Sequence, residues 1–163
     1  MIDLVSTLIL VAGFVDDLRS RKIHNALLLG LLFLSAIIKF AFGGFTGLEW
    51  AFAWMGLGLV LSGPLWMTGV IGGGDVKLFA VFAFSSDSKT VFAVYLFSIM
   101  FGALIGSVSA SLGGEFRELL RHTVALATGK QAAKVTHFHI PYSAAMLLGW
   151  LSYWSVGLWG GFH

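Results

Sequence analysis

Charged side chains are so thinly spread along this chain that its apolar runs can be buried only in protein or in lipid. From Ala26 to Phe42 the single charged residue is Lys39, and from Ile2 to Val15 it is Asp3. Over 163 residues, 58% are hydrophobic and 11% charged, with a mean hydropathy of +0.90. A soluble domain carries about 25% charged residues, so the composition marks a membrane protein. Its 21 glycines fit, because glycine is commoner in membrane helices than in soluble ones. By length, residues 1–163 make one integral membrane domain. The absence of cysteine excludes disulfides and thiolate zinc sites. A pI near 9.1 invites a nucleic-acid partner, but the net charge is only +2 and spread over loops, so none is expected.

The apolar runs and their breaks predict an all-α, polytopic bundle of six transmembrane helices with a short amphipathic cytoplasmic helix. The first run, Ile2 to Val15, lacks the basic leader of a secretory signal. It is shorter than the roughly 20 residues of a span, so the helix should continue through Asp16-Asp17-Leu18. A basic loop, Arg19 to Asn25, leads to a second helix from about Ala26 to Phe42, ended by Gly43-Gly44. A third runs from near Glu49-Trp50 to about Val70, with a kink expected at Gly63-Pro64. The Gly72–Gly74 turn opens a short fourth helix, from Asp75 to about Ser86. The fifth spans Thr90 to Leu112, with Gly102 and Gly106 at a spacing that admits close helix contact. Glu115 to Thr128 segregates apolar and charged residues onto opposite helical faces and reads as a helix lying on the membrane surface. The sixth follows Pro141, with Trp150, Trp154 and Trp159 as expected interface anchors. No internal repeat or linker is visible.

Six spans place the loops alternately on two sides. One side collects Arg19, Arg21, Lys22, Lys77, Arg117, Arg121, Lys130 and Lys134; the other has Lys39 and Lys89. The positive-inside bias makes the first side cytoplasmic and puts both termini outside. Asp16, Asp17 and Asp75 then share the cytoplasmic face.

Gly72-Gly73-Gly74-Asp75-Val76-Lys77 is the other outstanding stretch. It is neither a P-loop, which needs Gly-Lys-Ser/Thr after its glycines, nor a dinucleotide fingerprint, which needs a preceding strand. An ionisable residue at membrane depth is a functional candidate, and Asp75 with one of Asp16 and Asp17 can form a carboxylate pair. Two such groups brought together share a proton, activate water and protonate a leaving amine, as in aspartic proteases, with no metal or cofactor. The alternative is that each aspartate caps a helix or pairs with a loop arginine such as Arg19 or Arg21.

Gly72-x-Gly74-Asp75 is the signature of intramembrane aspartyl proteases. Asp17-Leu18-Arg19-x-Arg21-x-Ile23-x-Asn25 resembles the first-aspartate motif of the prepilin peptidase family. His139-Ile140-Pro141-Tyr142 is similar to that family's third landmark. This resemblance covers nearly the whole chain. It implies an aspartic endopeptidase, multi-pass in the inner (plasma) membrane, that removes the leader of type IV pilin-like precursors at the cytoplasmic face, just before their apolar helix. Asp17 and Asp75 would be the catalytic pair, without cofactor. Gly72 and Gly74 would shape the substrate channel. Lys77 would contact lipid phosphate or a substrate carboxylate, and Arg19 an acidic segment of the precursor.

Helical neighbours point about 100° apart, so only one of Asp16 and Asp17 should face Asp75. Alignment with the motif selects Asp17 and leaves Asp16 as a capping or solvated neighbour. His24 stands where the family usually has proline. The lack of cysteine sets the chain apart from bifunctional members with a cysteine-rich zinc insertion and N-methyltransferase activity. It resembles the compact, peptidase-only branch serving tight-adherence pili, or an archaeal relative. His137-x-His139 has no obvious third metal ligand. The rival class is a small transporter or ion-conducting protein using the aspartates as a cation site, for which inverted repeats would be expected. A non-catalytic assembly subunit is a further alternative.

Overall fold

A computed structural model describes residues 2–112 and 142–160. The described residues form helices only: α1 (Ile2–Ser20), α2 (Asn25–Met67), α3 (Gly73–Ser85), α4 (Ser88–Leu112) and α5 (Tyr142–Gly160). The amphipathic stretch at Glu115–Thr128, the histidines His137 and His139, and Arg117, Arg121, Lys130 and Lys134 lie outside them.

α2 is a hairpin, and Gly44 makes its turn. Gly44 has φ 59° and ψ −151°, a conformation closed to residues with a Cβ. A Cβ on Gly47 would lie 3.1 Å from the carbonyl oxygen of Lys39, whereas eight residues of unbroken helix span about 12 Å. The arms, 25–43 and 45–67, run to about 29 and 35 Å, against a hydrocarbon core of about 30 Å. The second arm begins a few residues before Glu49, because Gly43-Gly44 completes the turn without a longer loop. Five elements therefore carry six helical segments, near the six expected positions. Asn25–Met67 and Ser88–Val108 are long and apolar enough to cross a membrane.

The kink expected at Gly63-Pro64 is absent from the backbone torsions, and Gly44 is the non-helical residue within α2. Pro64 falls in the last turn, where the helix is ending. Its carbonyl accepts the N–H of Thr68 at 3.1 Å and the Thr68 hydroxyl at 3.1 Å.

The short fourth segment is the centre of the molecule. In α3 every residue from Leu78 to Ser85 is buried, as befits a helix apolar on all sides. The second arm of α2 packs antiparallel to it, with Phe52 against Phe84 at 5.2 Å between ring centroids. Ala83 is so close to Gly58 that a Cβ there would come within 2.8 Å. On another side α1 crosses at Gly13, where a Cβ would meet Leu78 at 2.5 Å. α4 and α5 form an antiparallel pair closed by small residues. Gly102 leaves 3.1 Å between an added Cβ and the ring of Tyr142, and Gly149 approaches the backbone of Val94 and Ser98 equally closely.

Trp150 corrects the anchor expectation. It is 2% exposed, stacks edge-on against Phe82 at 5.7 Å and donates its indole N–H to Thr7 Oγ1 at 2.8 Å. That bond satisfies its one polar atom inside the bundle. Trp154 is exposed, as an anchor would be. Around this core, Leu4, Phe33, Phe42, Phe45, Val60 and Leu96 project outward with more than half their surface free. So large an apolar exterior fits a hydrocarbon surrounding.

Contacts also fix the ends of the bundle. Ser6 Oγ lies 2.8 Å from Ser85 Oγ, Lys39 is within electrostatic range of Asp87, and Tyr153 Oη lies 3.2 Å from Thr90 Oγ1. These mark one end. The C-terminus of α1 and the N-termini of α2, α3 and α5 meet at the other, and the acidic residues singled out above lie there.

Candidate active site

The helix α1 ends at Ser20, and Arg21 takes a left-handed conformation with φ 53°. Its N–H donates to the Asp17 carbonyl at 2.7 Å, a C-terminal cap usually made by glycine. The two adjacent aspartates diverge here. Asp16 turns to the loop: its Oδ2 accepts the His24 backbone N–H at 2.8 Å, and His24 Nδ1 lies 2.9 Å from its Oδ1. Because His24 is the N-cap of α2 and brings no side-chain cap of its own, Asp16 supplies one from across the turn. Asp17 turns inward. It is 8% exposed, and its Oδ2 accepts the hydroxyl proton of Ser143 at 2.7 Å.

Asp75 stands in the first turn of α3. The Gly72 N–H donates to its Oδ2 at 3.2 Å, and Gly72, the N-cap, has no side chain to return the bond. Asp75 is half-buried and lies within electrostatic range of Tyr142. Of the consecutive residues opening α5, Ser143 therefore bonds Asp17 and Tyr142 lies within electrostatic range of Asp75. The capping alternative holds in part, since Asp75 does cap α3. No arginine forms an ion pair with an aspartate among the described residues; the acidic partner found there is His24 with Asp16.

The loop after α1 folds over the start of α3. A Cβ on Gly74 would touch Ile23 Cβ at 3.3 Å, and Lys77 Nζ donates to Asn25 Oδ1 at 3.0 Å. Glycine at 74 lets this loop approach the backbone one residue before Asp75. Arg19, Arg21, Lys22 and Lys77 are exposed at this end. Along α1 runs a groove of about 600 Å³ lined by Leu4, Leu8, Val11 and Val15, with Asp16 and Arg19 at its site end. No group of three or more potential metal-ligating residues occurs among the described residues.

Ser143, and the proximity of Tyr142 to Asp75, had no signal in the sequence beyond the landmark that ends at Tyr142. A serine opening an apolar helix reads as a small packing residue, and only the long-range pairing reveals its partner.

Residues 4–107 match the family model described as type IV leader peptidase family. The chain is also similar to a protein named prepilin leader peptidase/N-methyltransferase from Bacillus subtilis (strain 168), with 33% identity over 115 residues. That alignment covers 67% of this chain and 44% of the relative. No solved structure gives a significant match.

Proposed function

The chain belongs to the type IV leader peptidase family, and from that membership we propose that it is a membrane aspartic endopeptidase whose catalytic pair is Asp17 and Asp75. Its substrates are type IV pilin-like precursors, cut at the junction between a short N-terminal leader and an apolar helix. The observation that carries this reading is the convergence of both carboxylates on the first turn of α5, through Ser143 and Tyr142.

In the reaction, the ionised member of the pair takes a proton from water as its oxygen attacks the scissile carbonyl carbon. The protonated member hydrogen-bonds the carbonyl oxygen and then protonates the amide nitrogen. The C–N bond breaks, leaving a carboxylic acid and an amine, and one proton remains shared between the aspartates. The two titrate as a pair, so neither role belongs to one residue by itself.

The surroundings support the substrate class. The groove along α1 is apolar from Leu4 to Val15 apart from Thr7, and becomes charged at Asp16 and Arg19, beside Asp17. A peptide that is apolar along its helix and polar at its leader matches that change. Gly72 and Gly74 keep the approach to Asp75 free of side chains, and Arg19 and Lys77 stand at the same end to meet carboxylates of the precursor or lipid phosphate. The six helical segments cross the inner membrane in turn, and the basic residues beside the pair turn the active end toward the cytoplasm. Lacking cysteine, the chain has no cysteine-rich zinc module, and the reading is of a peptidase without methyl transfer.

The test is a precursor with a basic leader and an apolar helix, incubated with the protein in liposomes and followed by mass spectrometry. Release of the leader, cut just before the apolar helix, is expected. Intact precursor throughout, together with ion flux across the same vesicles, would favour a transporter instead.

A further inference from the structure

We propose that Ser143 is a positioning residue of the active site, holding the Asp17 carboxylate in one orientation through its hydroxyl. The proposal rests on Asp17 being half of the catalytic pair. Ser143 is fully buried, and its Oγ lies 2.7 Å from Asp17 Oδ2, across 126 residues of sequence. A hydroxyl and a carboxylate meeting inside a largely apolar bundle are a costly choice for stability alone. Replacing both partners with apolar groups of the same shape is close to neutral, whereas leaving either one unpaired in the interior is destabilising.

Ser6 and Ser85 also join two helices, but hydroxyl to hydroxyl at the opposite end of the bundle, and two other buried serines behave differently again. Ser62 Oγ donates to Gly58 O at 2.7 Å, and Ser35 Oγ to Leu31 O at 2.8 Å, one turn back along their own helix. Those bonds satisfy a hydroxyl locally and connect nothing. Ser143 instead gives its only proton to a residue of another helix, where the first turn of α5 lies alongside the end of α1. With Oδ2 so engaged, Oδ1 accepts no hydrogen bond among the described residues. It is the oxygen left to act on water or on the shared proton. Freed of Ser143, the carboxylate can rotate about χ2, and catalytic groups held loosely lose rate before they lose binding.

Steady-state cleavage by wild type, Ser143→Ala, Ser143→Thr and Ser62→Ala separates positioning from packing. For Ser143→Ala, kcat is expected to fall about 10–100-fold, the range for losing a supporting hydrogen bond to a reactive group, with KM within about twofold. Ser143→Thr, which keeps the hydroxyl, should recover part of that loss, and Ser62→Ala should turn over like wild type. An active wild type with an equally active Ser143→Ala, or a loss confined to KM, would overturn this inference alone. A wild type that cleaves no precursor would overturn the proposed function and this inference with it.

Discussion

Asp16 and Asp17 are identical in chemistry and adjacent in sequence, yet one faces the loop and the other the interior. The 100° step of a helix separates them, and each direction has a different donor waiting. Asp16→Asn keeps an oxygen for the His24 N–H, so it is expected to retain most activity. Asp16→Ala loses the cross-turn cap and should destabilise the fold by about 1 kcal/mol, measured as a lower unfolding midpoint in detergent. At this scale the motif residues were legible, because Gly-x-Gly-Asp and the Asp17 to Asn25 pattern are local. Helical geometry allowed only one of Asp16 and Asp17 to face Asp75, and the motif resemblance left Asp16 as the capping or solvated neighbour. The Lys77–Asn25 bond was not legible, since it joins two motifs that sequence places 52 residues apart; nor was the donor on Asp17. Trp150 was misread for a related reason: a tryptophan near a helix end is an anchor unless a buried acceptor such as Thr7 takes its N–H.

Among the elements, glycine decides how closely the helices approach. Gly58→Leu would drive a side chain into Ala83, already 2.8 Å from the Cβ position. Such overpacking is expected to cost about 1–3 kcal/mol and to show as a lower unfolding midpoint. Gly44→Ala places a Cβ at φ 59° and should weaken the α2 hairpin by roughly 1 kcal/mol. The groove yields a kinetic expectation: Val11→Trp narrows it away from the carboxylates. KM for a precursor should rise about fivefold, roughly 1 kcal/mol of binding, with kcat unchanged. The Gly43-Gly44 turn was readable as punctuation between apolar runs. Pro64 keeps helical torsions, and its place one turn before Thr68 puts it at the end of the helix and not in mid-span. The central place of α3 was hidden too: a short apolar run gives its length and not what surrounds it.

At the scale of the whole molecule, the ends of the bundle differ in charge. Arg19, Arg21, Lys22 and Lys77 share the end with Asp17 and Asp75, while Lys39 and Lys89 lie at the other, near Asp87. A natural chain without cysteine makes this directly testable with single-cysteine variants. Lys22→Cys should react with a membrane-impermeant maleimide from the cytoplasmic side, and Lys89→Cys from the opposite side. Labelling of both from one side would contradict the alternation of spans. The charge asymmetry was legible because it depends on counting loops, which the apolar runs define. The meeting of α1, α3 and α5 at one end was legible only as sidedness, and their side-chain contacts required the fold.

Catalysis by paired carboxylates is tested most directly by leader release from a prepilin-like precursor, comparing wild type with Asp17→Asn, Asp75→Asn and Asp16→Asn at equal folded protein. Wild type and Asp16→Asn should release the leader, and either of the other two should release none above background. Cleavage surviving in Asp17→Asn or Asp75→Asn would contradict the catalytic pair, and loss in Asp16→Asn alone would move the first catalytic carboxylate to the neighbouring residue.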